Sequence, residues 1–190
     1  MQWVGTPPLA SAVSNAGGLG ILTALTQPSP DALRKAIQKT KTMLRPEIAN
    51  RCSKYGAIGV NITLLPSINP PDYPGYAKAA LDEAGPVIKL LKEHGAYVIH
   101  KCTTIRHARS AQKMGVDMLS IDGFECAGHP GEDDIGGLVL MARAAEELKI
   151  PFIASGGIAN GQQLAASLAL GADGANSEYT VIESTAEQVN

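Results

Sequence analysis

The stretch Met114-Gly115-Val116-Asp117 decides the fold of this chain, because it recurs almost unchanged as Leu170-Gly171-Ala172-Asp173. In each copy the glycine follows a run in which apolar residues have helical spacing, and a short apolar run follows the aspartate. Glycine commonly ends a helix, since it adopts a positive φ without steric cost. Each copy therefore predicts a turn from a helix into a strand.

Other apolar runs of strand length alternate with helical patterns along the chain. Short runs that are apolar throughout predict buried parallel strands, here Gly20 to Thr23, Ile58 to Ile62, Tyr97 to His100, Met118 to Ile121, Pro151 to Ala154 and, more weakly, Gly174 to Asn176. Apolar spacings of three and four predict helices at Pro8 to Asn15, Asp31 to Leu44, Tyr76 to Glu93, Ile105 to Met114, Leu138 to Leu148 and Gln162 to Leu170.

This alternation predicts an α/β fold made of TIM-barrel-like parallel strand and helix repeats, with a doubly wound sheet as the second choice. A complete barrel spends about 31 residues on each of its eight units. The 190 residues of this chain therefore suffice for about six units. We expect an incomplete barrel.

The composition argues against several classes of protein. With 45% hydrophobic residues and a net charge of -2, the chain can bury one sizeable core and has no charge bias towards nucleic acid or an anionic membrane. No apolar run approaches the ~20 residues of a membrane span. Cys52, Cys102 and Cys126 are an odd number without a pairing pattern, which indicates a reducing compartment. We expect a cytoplasmic protein.

Polar residues end four of the predicted strands: Asn61, Lys101, Asp122 and Ser155-Gly156-Gly157. Each alone could be a turn former or a solvated charge. Together they favour a ligand, because active sites of parallel barrels lie at the carboxyl ends of the strands. The two glycines before a predicted helix suit a phosphate group, since they leave backbone N–H groups accessible.

The loop from Asp122 to Asp134 holds a single histidine, His129, among glycines and acidic residues. An imidazole titrates near neutral pH and can bind an anion or transfer a proton. A metal site built from Glu125, Cys126, His129 and the acids that follow is an alternative. The spacing of these residues has neither the CxxC nor the HxxxH pattern of zinc sites, so we expect no metal.

With His100-Lys101-Cys102 before it and Ala154-Ser155-Gly156-Gly157 after it, the run Ser120 to Asp134 resembles the FMN-dependent nitronate monooxygenase family. The resemblance begins at Gln2-Trp3-Val4-Gly5-Thr6-Pro7 and fades after Asn176. Set against the family pattern, this chain lacks the first strand and the fourth. The resemblance thus implies one FMN-binding, barrel-like domain over residues 1–190, whose open strand edges could form an oligomer.

The resemblance also implies a reaction: oxidation of an alkyl nitronate or nitroalkane by molecular oxygen to a carbonyl compound and nitrite, with FMN taking one electron and oxygen the next. It makes His129 the catalytic residue, as a base for neutral nitroalkanes or as a group that holds the nitronate. The FMN-binding residues that it implies are Asn61, Lys101, Asp122, Gly128, Ser155, Gly156 and Gly157.

Two alternatives remain open at the level of sequence. One is another FMN-dependent oxidoreductase of the same superfamily, such as an enoyl reductase. The other is an inactive, truncated remnant, which is favoured by Glu178 because it brings negative charge to a place where the family has a Gly-Thr pair near the phosphate.

Overall fold

The computed structural model describes residues 4–51, 58–63, 70–81, 91–127 and 133–177. Strands and helices alternate along these residues, and every strand pairing is parallel. The predicted α/β class with parallel strand and helix repeats is therefore confirmed. The described residues divide into two compact units, one ending at Ala96 and one beginning at Tyr97. That a single barrel-like domain lacks its first and fourth strands stays a prediction.

The described residues of the first unit contain two paired strands, four α-helices, a 3₁₀ helix at Ala24–Thr26 and a short helical stretch at residues 91–93. The strands are β1 (Gly20–Thr23) and β2 (Ile58–Asn61), and the helices are α1 (Pro7–Asn15), α2 (Pro30–Thr42), α3 (Pro46–Arg51) and α4 (Tyr73–Leu81). Helix α4 begins three residues before the predicted start at Tyr76.

Close packing of α1 on β1 and a small apolar core hold this unit together. A Cβ atom on Gly20 would collide with the carbonyl oxygen of Ala10 in α1, so this position of β1 requires glycine. Ala24, Leu33, Tyr76 and Ala79 form a buried cluster, and the Tyr76 hydroxyl donates to the backbone oxygen of Gln27 at 2.7 Å. The phenol is thereby buried with its polar atom satisfied.

The second unit is a four-stranded sheet with helices between the strands. Its elements are β3 (Ile99–Cys102), α5 (Ile105–Lys113), β4 (Met118–Asp122), α6 (Gly137–Glu147), β5 (Phe152–Ser155), α7 (Gly161–Ala169) and β6 (Gly174–Asn176). The strands lie in the order β3, β4, β5, β6.

Both copies of the recurring Gly-x-Asp stretch end a helix and bind the start of a neighbouring strand. Gly115 and Gly171 have φ values of +83° and +99°, which end α5 and α7 as predicted. The Asp117 carboxylate accepts a hydrogen bond from the backbone N–H of Val98 at 2.7 Å, and Asp173 accepts one from Phe152 at 3.0 Å. Each aspartate thus fixes the amino end of a neighbouring strand.

The largest error in the predicted strands is that of β3, while β2, β4 and β5 differ from their predicted limits by one residue at one or both ends. Strand β3 covers Ile99–Cys102, two residues later than the predicted Tyr97 to His100. The reason is the register: Ile99 pairs with Met118 and Cys102 with Ile121, so β3 follows the length of β4 and not the apolar pattern. Lys101 therefore lies within the strand and not after it.

Candidate functional site

The carboxyl end of the four-stranded sheet gathers polar side chains on one face. In the register of the sheet Asp122 pairs with Ser155, Ser155 pairs with Asn176, and Lys101 pairs with Ser120. Alternate residues of a strand point to the same face, so all five side chains share one face of this sheet. The intervening residues, such as the fully buried Leu119, point to the other face.

Asp122 is the centre of a buried polar network on that face. Its side chain is 1% exposed, and its two carboxylate oxygens have different partners. The Ser120 hydroxyl donates to Oδ1 at 3.0 Å, and the Lys101 ammonium contacts Oδ2 at 2.7 Å. The buried Asp122 carboxylate anchors the Lys101 ammonium. The Lys101 side chain is also 53% exposed, so a ligand can reach it.

Two cysteines beside Asp122 are held as neutral thiols. Burial, and second the negative charge of Asp122, raise the pKa of Cys102 to about 12. Burial also raises the pKa of Cys126, with further contributions from the Asp122 charge and from a hydrogen bond to that carboxylate, while Lys101 opposes the shift. A thiol must lose its proton to act as a nucleophile, so neither cysteine is suited to covalent catalysis.

The turn after β5 exposes backbone donors. Gly156 and Gly157 have φ values of +91° and +72°, a conformation that strongly favours glycine. Neither of their N–H groups donates to an acceptor within the part of the chain that the structure describes. The turn packs closely on the next loop, since a Cβ atom on Gly156 would lie 2.7 Å from the backbone nitrogen of Cys126. Two consecutive accessible N–H groups can bind an anion.

The loop that follows β4 is fixed by Glu125. Its Oε2 accepts a hydrogen bond from the backbone N–H of Gly137, the first residue of α6, at 2.8 Å. The carboxylate thus caps a helix, where negative charge is stabilising. Within the described ranges no group of three or more histidine, cysteine or acidic side chains is placed to hold a metal ion.

The structure places the predicted site residues in three groups. Lys101, Asp122 and the turn Ser155-Gly156-Gly157 meet at the carboxyl end of the second unit's sheet. Asn61 is the last residue of β2 in the first unit, where its side-chain amide donates to the Thr63 hydroxyl at 3.2 Å. Gly128 and His129 lie outside the described residues. That any of these residues contacts a flavin stays a prediction.

Sequence reasoning missed two members of the network. Ser120 lies in a run that is otherwise apolar, although the alternation Ser120, Ile121, Asp122 places the serine on the same face as the aspartate. Asn176 donates from its side-chain amide to the Ser155 hydroxyl at 3.3 Å. Its strand was too weakly patterned to indicate a site.

Known proteins resemble this chain both in sequence and in three-dimensional structure. The sequence model of the nitronate monooxygenase family matches residues 1–60 and 77–182. A nitronate monooxygenase of Paraburkholderia phytofirmans is 30% identical over 224 residues, which cover 92% of this chain and 59% of that protein. A (3aS,4S,5R,7aS)-5-hydroxy-7a-methyl-1-oxo-octahydro-1H-indene-4-carboxyl-CoA dehydrogenase of Rhodococcus jostii is 34% identical over 177 residues. This match covers 92% of this chain and 48% of that protein.

Two solved structures show the same similarity in three dimensions. FabK from Thermotoga maritima has a TM-score of 0.78 and 36% identity, covering 96% of this chain and 57% of that one. A nitroalkane oxidase from Streptomyces ansochromogenes has a TM-score of 0.75 and 30% identity, and the match covers 90% of this chain and 60% of that one. The chain spans about half the length of the curated relatives that it matches. No helix in the described part of the chain is long and apolar enough to cross a membrane.

Proposed function

Because this chain belongs to the nitronate monooxygenase family, we propose that it binds FMN and uses molecular oxygen to oxidise alkyl nitronates or nitroalkanes to a carbonyl compound and nitrite. The observation that carries the proposal is the pairing of two anion-binding features at one end of one sheet. These are the accessible N–H groups of Gly156 and Gly157 and the anchored ammonium of Lys101.

The residues at this end of the sheet suit a phosphorylated flavin. Phosphate groups bind to consecutive backbone N–H groups in glycine turns, and the loops after the last strands of a barrel are the common phosphate site of that fold. A side chain on Gly156 would collide with Cys126, so the turn keeps its shape only with glycine. Ser155, beside this turn, has its hydroxyl held by Asn176.

Lys101 and Asp122 have different tasks in this proposal. The Lys101 ammonium would stabilise negative charge on the bound flavin or on the nitronate, because a fixed cation aimed at developing charge lowers its energy. Asp122 is almost fully buried and already contacts Ser120 and Lys101, so it would act by orienting Lys101. The bound flavin would supply the electron transfer that none of these side chains can perform.

Asn61, Gly128 and His129 complete the proposed set from the family pattern. Asn61 and Gly128 are proposed to contact the flavin. His129 is proposed to remove the proton of a neutral nitroalkane, because an imidazole can act as a general base near neutral pH. A preformed nitronate has already lost that proton.

Flavin binding is tested directly by the visible absorption spectrum of the purified chain and by a fluorescence titration with FMN. We expect bound flavin, and weaker FMN binding by about tenfold in Gly156→Ala, where the new methyl group distorts the turn. Gly161→Ala is the matched control, because a Cβ atom there meets no atom within 4 Å. A purified chain without flavin that also fails to bind added FMN would refute the proposal.

The substrate is tested by two assays on the flavin-loaded protein. The similarity to FabK and to a CoA dehydrogenase favours a second candidate function, a flavin-dependent enoyl reductase acting on a thioester. Oxidation of propyl 2-nitronate, with no NADH oxidation in the presence of an enoyl thioester, supports the nitronate reaction. The reverse pattern supports the second candidate.

His129→Ala separates the two roles of the histidine. A lost general base slows turnover by about 100- to 10,000-fold, so we expect a loss of that order with neutral nitroalkane and a much smaller one with nitronate. Equal losses with both substrates would assign His129 to anion binding or to the shape of its loop.

A further inference from the structure

A cleft of about 680 Å³ lies between helices α5 and α6 of the second unit. From α5 it is lined by Arg106, Arg109 and Lys113, whose spacing of three and seven residues places them on one helix face. From α6 it is lined by Val139 and by Arg143, four residues further along. These side chains belong to the helical layer of the unit and not to the polar face of its sheet, so the cleft is separate from the candidate flavin site.

The cleft carries an excess of positive charge in a chain whose net charge is negative. Four cationic and two acidic side chains line it. Glu147 is shared by Arg109, at 2.5 Å, and Arg143, so that one carboxylate faces two guanidinium groups. Arg106 and Lys113 form no ion pair with any residue that the structure describes. Uncompensated cations at the border of a cleft attract anions.

The wall formed by α6 adds apolar surface that water covers. Val139, which lines the cleft, is 63% exposed. Leu140, which also lines the cleft, is buried, so the wall is continuous with the core of the unit. An apolar surface next to unpaired cations fits a molecule that has an anionic group and an apolar body.

We propose that this cleft binds a small amphipathic anion, a phosphate or carboxylate group attached to an apolar body. The anionic group contacts Arg106 and Lys113, and the apolar body covers Val139. The volume favours a small molecule over a protein segment, since small-molecule sites occupy roughly 300–1,000 Å³. The inference stands without the flavin proposal, because no residue of the cleft is a proposed flavin ligand.

The test is an NMR titration of the isotope-labelled full chain with hexyl phosphate, inorganic phosphate and hexanol. We expect hexyl phosphate to shift the amide signals of α5 and α6 and to bind about tenfold more tightly than either of its two parts. A phosphate that binds as tightly as hexyl phosphate would mean an adventitious ion only, and would overturn the proposal. Hexanol that binds as tightly would remove the role of the cations.

Charge-reversed variants locate the site. The double variant Arg106→Glu and Lys113→Glu should weaken hexyl phosphate binding by about tenfold, since attraction becomes repulsion at two positions. Lys35→Glu with Lys39→Glu on α2 applies the same charge change to exposed positions elsewhere and should leave binding unchanged. Equal binding by both double variants, or a hexyl phosphate titration that leaves the signals of α5 and α6 unshifted, would overturn the proposal. Arg106→Gln with Lys113→Gln repeats the test if charge reversal prevents folding.

Discussion

Removing the ammonium of Lys101 should destabilise the protein more than removing the carboxylate that it contacts. In Lys101→Met the Asp122 carboxylate stays buried, 1% exposed, without its cation. Breaking a fully buried ion pair on one side costs roughly 3–5 kcal/mol. Here the Lys101 side chain is 53% exposed and Ser120 still donates to Asp122, so water and the hydroxyl recover part of that energy. We expect a loss of about 2 kcal/mol in the free energy of unfolding.

The opposite change should cost less. Asp122→Asn removes the buried charge and keeps an oxygen that can accept from Ser120, while the half-exposed Lys101 ammonium turns to solvent. We expect a loss below about 1 kcal/mol, and a double variant about as stable as Asp122→Asn alone, because no unpaired buried charge remains. Lys35→Met, at an exposed position of α2, controls for the loss of a surface lysine.

Urea denaturation followed by far-UV circular dichroism measures these differences. Hydrogen exchange of the β3 and β4 amides shows whether the loss is local to the strands that carry the pair. Equal destabilisation by the two single variants, or strictly additive effects in the double variant, would refute the reasoning.

Three further predictions concern other parts of the chain. Gly20→Ala should destabilise the protein by about 1–3 kcal/mol in urea denaturation, because the new methyl group overlaps the backbone of α1. Gly59→Ala in the paired strand should cost much less, because no atom lies nearer than 3.5 Å to the new methyl group. Similar losses in the two variants would contradict this packing. Asn160→Ala should cost about 1 kcal/mol of stability, since the Asn160 side chain accepts from Gln163 N–H at the start of α7; an unchanged midpoint would remove the cap. Iodoacetamide at about pH 8 should leave Cys102 unmodified in peptide mass spectra of the folded chain, because a thiol with a pKa of about 12 is about one part in 10,000 thiolate at that pH; rapid labelling would contradict the raised pKa.

The raised pKa of Cys102 also sets a direction for stability against pH, measured by the same urea titrations. The folded chain keeps the Cys102 proton up to about pH 12, whereas a thiol in the unfolded chain loses it at its ordinary pKa of 9.0. The unfolded state therefore binds fewer protons between these two values, and the contribution of Cys102 to stability falls as pH rises through them. Cys102→Ala should lack this part of the alkaline loss.

Apart from the short helix α3, which was not predicted, the order of strands and helices could be predicted from the sequence because apolar runs and helical spacings are local signals. The limits of β3 could not. Tyr97 and Val98 are apolar enough to be predicted as part of the strand, but the residues that pair with β4 include Lys101 and Cys102. Which residues pair depends on the partner strand. The periodicity of a run says nothing about its register.

That Lys101 and Asp122 lie near one end of the sheet could be predicted, because each is a charged residue that interrupts or follows an apolar run. Ser120 was not recognised, because one hydroxyl in an apolar strand is a weak signal. The sequence did not indicate what Glu125 does, and only the structure shows that its carboxylate caps α6. The role of such a side chain depends on which partner lies within hydrogen-bonding distance, and the amino-acid composition does not contain that information.

The two aspartates that fix strand ends both act at the amino end of the second unit's sheet. Asp117 and Asp173 bind the amino ends of β3 and β5, so assembly of the sheet is secured on the side away from Lys101 and Gly156. Residues on the catalytic side of a barrel can then diverge without disturbing how it is put together. An ancestor with this arrangement could acquire a new substrate by exchanging loops, while each strand and helix unit kept the same fastening to its neighbour.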